Sequence, residues 1–307
     1  MKKTILFISL ITLCCGVSQA QQVPQFSQNM FNKLANNPAI AGSGQMANAT
    51  VLHRSQWMGF DGAPTTLNLS VERPFKVLHG GLGLNIVSDE IAEYSNLGVQ
   101  LSYAYQIELG LKDGTEKLGI GVSAGMFQSG LDGGNLNPAD PEPFPTESGS
   151  AMDFGGGIYY HNQDAYIGLS TLHITEPTIE NVENIIGLSR HYFLLAGYYH
   201  EITGSLLSLN PSIYLKSDGS TSQLDVNTTL QYTLKHNKKA WGGVSYRLAE
   251  GIVLLTGMDI YENLKFGIAY DVVLNKIQNN SIEFMLGYSY TIDYDRPVKS
   301  HKNPRYL

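Results

Sequence analysis

Apolar residues recur at every second position over most of this chain, and this period constrains the fold more than any other feature. Leu97, Val99 and Leu101 are separated by single Gly or Gln residues, and Ile282–Ile292 repeats the same pattern. A period of two is that of a β-strand, whose side chains point alternately to opposite faces. After residue 20, no apolar run approaches the roughly 18 residues that a membrane-spanning helix needs. The sequence therefore predicts an all-β fold.

About fourteen segments carry this strand pattern. The regular ones cover 67–72, 82–86, 97–107, 118–124, 224–232, 264–271 and 282–292. The less regular ones lie near 47–57, 151–160, 165–172, 190–200, 206–216, 240–248 and 252–260. An even number of strands is typical of bacterial outer-membrane barrels.

Composition separates the two all-β architectures that fit the period. A soluble sandwich would expose an outer face rich in Lys and Glu, yet only 15% of this chain is charged, against about 25% in soluble domains. The second face of the segments is small and polar instead, and Tyr lies near the segment ends of the apolar face. Apolar-out, polar-in strands with aromatic girdles indicate a transmembrane barrel, which pairs every backbone group without an open edge. We therefore predict an antiparallel, transmembrane β-barrel of about 14 strands, with outer-membrane lipid around it and an N-terminal arm or plug.

The first twenty residues have the features of an export signal. Lys2 and Lys3 precede the apolar stretch Ile5–Val17, and Ser18–Ala20 forms a small-residue cleavage site before Gln21. Both cysteines of the chain, at positions 14 and 15, lie in this segment, and lipidation of one of them is a weaker alternative. The mature chain is expected to have no disulfide and no cysteine-ligated metal.

The predicted organisation is a signal peptide at 1–20, an arm or plug at 21–46, the barrel at 47–294 and a tail at 295–307. Connections after even-numbered strands are short, whereas those after odd-numbered strands include the two longest, Ser129–Ser148 and His173–Ser189. Outer-membrane barrels have short periplasmic turns and longer extracellular loops. We expect the two long loops outside the cell and both termini in the periplasm of a Gram-negative bacterium.

Sequence motifs of catalysis and of nucleotide or metal binding are absent. The chain has no GxxxxGK[ST], HExxH or GxSxG, its eight histidines are scattered, and no basic cluster favours nucleic acid. We predict no cofactor, no metal, no nucleic acid and no catalytic residue. A hydrolase inside the barrel stays open as a minor alternative, because a Ser, a His and a carboxylate need only meet in space.

Charged residues do occur on the predicted inner face of the barrel. They form either a polar channel or docking surface, or internal ion pairs that fill a narrow lumen, and we favour the second interpretation. These residues are Glu72, Asp225, Arg247, Asp259, Lys265, Asp271 and Glu283.

Two stretches are unlike generic barrel sequence. In the arm, Phe26–Asn32 leads into Asn36–Gly42, where Pro38 fixes its own backbone and favours an extended residue before it. This stretch suits an ordered plug better than a disordered leader. The second stretch, Arg54–Thr66, spans the first strand, a turn at Asp61-Gly62 and the second strand, with Trp57 and Phe60 either in the aromatic girdle or facing a partner.

These stretches carry a family resemblance. NPAxAG followed by RxQWxGxDGAPxT resembles the PorP/SprF membrane proteins of type IX secretion, and the C-terminal Asn303–Leu307 is similar to the ending of that family. The resemblance implies a fourteen-stranded outer-membrane barrel for the secretion or surface attachment of large adhesins, often in gliding motility. It also implies two partners, a periplasmic lipoprotein or ring component and the C-terminal signal domain of the secreted protein. Pro211 departs from regular strand pairing, and we expect a bulge there.

The leading hypothesis is a non-enzymatic scaffold that binds periplasmic machinery and the secreted adhesin. The alternative is a channel or transporter for small or hydrophobic solutes, with the arm as its hatch. Under the leading hypothesis the partner-binding residues are Asn37, Pro38, Ala39, Gly42, Arg54, Gln56, Trp57, Asp61, Arg296, Asn303, Pro304, Arg305 and Tyr306.

Overall fold

The structure is a computed structural model that describes residues 23–110, 115–133, 146–180, 185–274 and 279–292. The chain forms β-strands joined by connections that include 3₁₀ turns at Pro38–Ile40, Lys76–Leu78 and Lys235–Asn237. In these ranges, no helix has the length and apolar character needed to cross a membrane. The predicted signal peptide and C-terminal tail lie outside the described residues.

The described part of the chain contains seventeen strands, numbered in chain order. They are β1 (Met46–Ser55), β2 (Thr65–Phe75), β3 (Gly80–Ile91), β4 (Tyr94–Glu108), β5 (Lys117–Leu131), β6 (Glu147–His161), β7 (Ala165–Leu172), β8 (Thr178–Glu180), β9 (Ile185–Gly187), β10 (His191–Tyr198), β11 (His200–Glu201), β12 (Leu207–Ser217), β13 (Ser222–Thr233), β14 (Lys239–Arg247), β15 (Gly251–Tyr261), β16 (Leu264–Val273) and β17 (Ser281–Thr291).

The strands close into a barrel in which each strand pairs antiparallel with its neighbours in sequence. β10 and β11 act as one strand interrupted at Tyr199, and β8 pairs only with β9 in a separate hairpin, so fourteen strands form the wall. β1 pairs with β17 over Met46–Ser55, which joins the two ends of the sheet. The predicted fourteen-stranded antiparallel barrel is confirmed.

The two faces of each strand differ as the sequence period predicts. On β5, Ile120 and Val122 are 48% and 59% exposed to the exterior, whereas Gly121 and Ser123 between and beside them are buried toward the lumen. Exposed apolar side chains around the whole wall are stable only against lipid. Tyrosines near the strand ends form the expected girdle: Tyr94, Tyr105, Tyr198, Tyr232, Tyr246, Tyr261, Tyr288 and Tyr290.

The bulge expected at Pro211 is absent, and this prediction was wrong. Pro211 stays in register opposite Thr228 on β13. On its other side, the pairing with β10 and β11 keeps one register but is interrupted around Tyr199. Proline has no N–H to donate to the neighbouring strand, so the ladder loses a bond there without inserting a residue. A register shift occurs instead between Asp259 and Tyr261, where β15 meets β16.

The barrel has two distinguishable ends. At the loop end, the long connections 132–146 and 173–190 follow odd-numbered members of the fourteen-stranded wall. At the turn end, connections such as 76–79, 162–164 and 262–263 are short, β1 begins and β17 ends. Which end faces the periplasm stays a prediction from loop length.

The N-terminal arm runs through the lumen between these two ends. Lys216, near the loop end of β12, donates a hydrogen bond of 3.1 Å from Nζ to the carbonyl of Val23. Gly42 packs against Gly81 at the turn end of β3. Val23 and Thr291 therefore lie at opposite ends of the barrel, because the arm threads the lumen instead of staying beside the barrel. The chain termini themselves lie outside the described residues, and their location in the periplasm stays a prediction.

The alternation predicts a position-dependent cost of charge on the outer wall. Leu101→Arg, in the middle of β4 and 64% exposed, should lower the free energy of unfolding by about 2–4 kcal/mol, because the cation lies at mid-depth in lipid. Tyr94→Arg, at the end of the same strand, should cost about 0–1 kcal/mol. Equilibrium unfolding from lipid vesicles, followed by tryptophan fluorescence, measures both, and equal costs would contradict the membrane depth inferred here.

Candidate functional site

The NPAxAG stretch of the arm lies on inward-facing glycines of three neighbouring strands. These glycines, the glycine cradle, are Gly119 and Gly121 of β5, Gly157 of β6 and Gly168 of β7. A Cβ atom added at Gly121 would collide with the backbone of Pro38 and Ala39, and one added at Gly157 would collide with the side chain of Asn37. The backbone of the arm approaches the wall this closely only because these positions lack a side chain.

Polar contacts fix the arm on the cradle. Asn37 caps the 3₁₀ turn by accepting a 2.9 Å hydrogen bond from the Ala39 N–H, and its Nδ2 donates to the carbonyl of Ile158 at 3.0 Å. Gln106 Nε2 donates to the carbonyls of Ala39 and Ala41 at 3.0 and 3.1 Å. The backbone groups that the extended arm leaves unpaired are thus bonded by the wall, as buried groups must be.

Gly42, the last residue of the motif, occupies a position that only glycine fits. Its φ of +68° lies in the left-handed region that glycine adopts without strain. A side chain there would also collide with the backbone of Gly80 and Gly81. Asn37, Pro38, Ala39 and Gly42 of the NPAxAG motif therefore each have a packing role inside this one chain.

Nearer the loop end, five buried charged side chains meet in the lumen. This ion-pair cluster consists of Arg54, Arg247, Asp225, Asp271 and Glu283. The Nη2 of Arg54 lies 2.6 Å from Oδ2 of Asp271, and its Nη1 lies 3.5 Å from Oε2 of Glu283. Arg247 contacts Oδ1 of Asp225 at 3.1 Å through Nε and Oδ2 of Asp271 at 3.0 Å through Nη1. The interpretation of the inner charges as ion pairs filling the lumen agrees with this arrangement.

The cluster has more carboxylates than arginines, and the arm supplies the missing donors. The backbone N–H groups of Ser27 and Gln28 donate to the two oxygens of Glu283 at 2.7 and 2.9 Å. Ser27 Oγ donates to Oδ1 of Asp271 at 2.7 Å and accepts from Nη1 of Arg54 at 2.6 Å. Because a buried carboxylate without partners is costly, these donors tie the arm to the cluster.

Aromatic contacts hold the part of the arm that connects the residues at the ion-pair cluster to those on the glycine cradle. The Nζ of Lys33 lies 3.4 Å from the ring centroid of Tyr166 and donates to the Tyr199 hydroxyl at 3.2 Å. Phe31 stacks at 5.2 Å between ring centroids on Trp241 of β14. A desolvated cation over an aromatic ring contributes up to about 2 kcal/mol. The arm is therefore anchored along its whole described length.

The stretch Arg54–Thr66 forms a rigid connection at the loop end. The Met58 N–H donates to the carbonyl of Asn280 at 2.9 Å, and the Ala92 N–H donates to the carbonyl of Gly62 at 3.0 Å. These bonds tie the connection to the turns on both sides of it. Phe60 at its tip is 66% exposed and projects away from the wall.

A narrow cavity of about 70 Å³ remains between the arm and the wall formed by β3 to β7. Two buried carboxylates line it, Asp89 and Asp153, together with the imidazole of His173. His173 Nδ1 lies 3.0 Å from Oδ2 of Asp153, and Gln100 Nε2 donates to the same oxygen at 2.5 Å. Sequence analysis missed this pair, since Asp153 lies on β6 and His173 lies after β7, and neither belongs to a motif.

A comparison with protein families identifies the family of the chain. The family model for the type IX secretion system membrane protein PorP/SprF matches residues 18–292. The chain belongs to the PorP/SprF family. The comparison with curated protein sequences found no match. Family and fold together place this PorP/SprF protein in the outer membrane.

Three solved structures with a related shape have low sequence identity to this chain. The toluene transporter TbuX of Ralstonia pickettii has 14% identity and a TM-score of 0.48, over 84% of this chain and 92% of that one. CdiB of Acinetobacter baumannii has 10% identity and a TM-score of 0.40, over 80% and 60%. The KdgM porin has 12% identity and a TM-score of 0.37, over 80% and 99%. At these scores, the likenesses carry no argument about what the PorP/SprF protein binds.

The predicted partner-binding residues of this PorP/SprF protein fall into three groups. Asn37, Pro38, Ala39, Gly42 and Arg54 are buried in the lumen and contact their own chain, so in this conformation a partner cannot reach them. The prediction overlooked that the arm motif and Arg54 make their contacts inside the barrel. A second group lies at the loop end, where it is half-buried or exposed: Gln56, Trp57 and Asp61. A third group lies outside the described residues: Arg296, Asn303, Pro304, Arg305 and Tyr306.

The described residues also provide evidence about a metal site and about a hydrolase site inside the barrel. Across these ranges, no three His, Cys, Asp or Glu side chains are grouped to hold a metal ion. In the same part of the chain, no hydroxyl group hydrogen-bonds to His173, the imidazole paired with Asp153.

The glycine cradle predicts that one methyl group displaces the arm. Gly121→Ala should loosen the arm, because the new Cβ and the Ala39 backbone cannot both fit, and overpacking typically costs about 1–3 kcal/mol. A cysteine introduced at Ala35, which is buried, reports the change through labelling by a membrane-impermeant maleimide. Labelling should be slow in the parent and in Gly242→Ala, whose Cβ meets only the Leu255 carbonyl oxygen at an ordinary contact distance of 3.9 Å, and at least severalfold faster in Gly121→Ala. Equal labelling in all three would contradict the cradle.

Proposed function

We propose that this PorP/SprF protein is a non-enzymatic scaffold of type IX secretion, which binds periplasmic machinery at its turn end and the C-terminal signal domain of a secreted adhesin at its loop end. The observation that supports this most directly is the filled lumen. Within Gln25–Gly42, all residues are buried inside the barrel except Met30, Phe31 and Lys33, which are half-buried. A barrel whose interior is occupied by its own arm works through its surfaces, and the secreted polypeptide passes or attaches beside it.

The loop end offers a surface for the secreted protein. Met58 and Phe60 are exposed on a connection that is hydrogen-bonded to both neighbouring turns. A fixed apolar side chain loses little conformational entropy on binding, and aromatic residues are frequent binding hot spots. The long connection 173–190 lies at the same end and widens this surface.

The turn end is the side proposed for the periplasmic partner. β17 ends there at Thr291, and the tail 295–307 follows it. The tail carries Arg296, Lys299, Lys302 and Arg305 in a chain with a net charge of −7. Local positive charge of this kind favours an acidic partner and speeds its association.

A second candidate function, a channel or transporter for small or hydrophobic solutes, is favoured by one observation. The contacts that hold the arm to the ion-pair cluster are polar, and water can replace such contacts if the arm moves. The two candidates differ in the state of the lumen at rest, which is closed for the scaffold.

Conductance in planar lipid bilayers separates the two candidates. The parent protein should be nearly silent, because the arm blocks the lumen. Gly121→Ala should give measurable openings, since it displaces the arm, whereas Gly242→Ala should stay silent. Steady conductance of the parent would overturn the scaffold proposal and favour the channel.

Removal of the tail tests the periplasmic contact. A chain lacking residues 296–307 should insert normally, because the described wall ends before this segment, yet lose the periplasmic component that co-purifies with the parent from outer membranes. A variant with the four basic tail residues changed to Gln should lose most of the same component if charge is the main attraction. Phe60→Ser serves as the control, which should retain the periplasmic component and release the adhesin. Unchanged co-purification after tail removal would contradict the assignment of the turn end.

A further inference from the structure

The cavity beside the arm is lined by more negative than positive charge. Asp89 and Asp153 are 8% and 2% exposed, and no Lys or Arg lines the cavity among the described residues. This differs from the ion-pair cluster, where two arginines offset the carboxylates. Among the residues that line the cavity, the imidazole of His173 beside Asp153 is the only basic group. Two buried carboxylates with so little positive charge near them are costly, so a cation from outside would stabilise them.

One carboxylate oxygen is left without a partner at this place. Oδ2 of Asp153 accepts from Gln100 and lies beside His173, whereas Oδ1 makes no hydrogen bond although it is buried. Asp153 lines the cavity, so a donor that enters there meets its carboxylate. A single unsatisfied buried acceptor of this kind costs about 1–3 kcal/mol, which a bound donor would recover.

The remaining walls are apolar and select the kind of cation. Val23, Phe26, Phe127 and Leu172 line the cavity beside the carboxylates. Such walls suit a short alkyl chain, and the ring of Phe127 can face a positive charge. A volume of about 70 Å³ admits the compact end of a lysine-like chain more readily than a planar guanidinium. A metal ion is not suited, since no three ligating side chains are grouped in the described residues.

We propose that this cavity is a binding site for a primary alkylammonium group, with Asp153 as the principal acceptor and Asp89 as a second negative charge. The alkyl part lies between the arm and β5. Asp89 near the end of β3, Asn96 near the start of β4 and His173 after β7 are all close to the loop end, so the group enters from that end. The proposal does not depend on the secretion partners proposed above.

Binding of n-butylammonium to the detergent-purified full-length protein tests the site by isothermal titration calorimetry, in phosphate buffer so that no amine buffer competes. Saturable binding of one equivalent is expected. Asp153→Asn keeps the shape of the side chain and should weaken binding at least tenfold. Asp218→Asn, a loop-end carboxylate already bonded by the Ser220 and Thr221 N–H groups, should leave the affinity unchanged. Unaltered affinity in Asp153→Asn would overturn the proposal.

A second variant blocks the cavity without touching charge. Gly98 lines the cavity, and a Cβ there meets only the edge of Phe127 at 3.8 Å. Gly98→Val should therefore fold well, fill the free volume and abolish binding, whereas Gly242→Val on the outer wall should bind as the parent does. Retained affinity in Gly98→Val would place the amine elsewhere and overturn the proposal.

Two further ligands distinguish the source of the ammonium group and test the role of its charge. Nα-acetyl-lysine amide should bind if the natural occupant is a lysine side chain, and binding of n-butylammonium alone supports a free amine. 1-Butanol has a similar shape without the charge and should bind at least tenfold more weakly. Equal binding of 1-butanol, or no binding of either amine, would contradict the site.

Discussion

The closed pairing of backbone groups in lipid is the constraint on which the rest of this structure depends. Each N–H and C=O that faces hydrocarbon must find a partner within the protein, and a barrel does this only when its first and last strands meet. β1 and β17 meet over ten residues, and most of their outer side chains are apolar. Closure in turn creates an interior that has to be filled. In a wall of fourteen strands, the inward side chains are too small and polar to fill it alone, which gives the arm its place.

The way the arm fills the lumen explains why the inner face differs along its length. Toward the turn end, inward glycines let the backbone of Pro38 and Ala39 lie directly on the wall. Toward the loop end, the wall presents buried carboxylates and arginines instead, and the arm contributes N–H and O–H donors. Removing one partner from a buried ion pair typically costs about 3–5 kcal/mol. The folded positions of arm and barrel are therefore coupled, and neither is the lowest-energy arrangement without the other.

Sequence reasoning succeeds here for local features and fails for contacts between residues that are far apart in the chain. All fourteen wall segments, and the side-chain faces of the seven regular ones, were predictable because a strand's period is local. The bulge at Pro211 was wrongly inferred. A strand can accommodate a proline either by a bulge or by the loss of one ladder hydrogen bond, and here the second occurs. Arg54 was assigned to a partner, although its ligands Asp271 and Glu283 lie more than two hundred residues away. No local pattern in the chain relates such positions, and the same applies to Asp153 and His173.

The ion-pair cluster also has a consequence for the register of the barrel seam. Arg54 on β1 and Glu283 on β17 are direct partners in the ladder that closes the wall, and both bind Ser27 of the arm. Slipping this ladder by one residue would turn Arg54 or Glu283 toward lipid, where a charge is most costly. The arm's donors reach both side chains only in the observed register. The arm therefore helps to close the barrel. From the lumen it contacts both β1 and β17, and it stabilises the one register that keeps Arg54 and Glu283 inside.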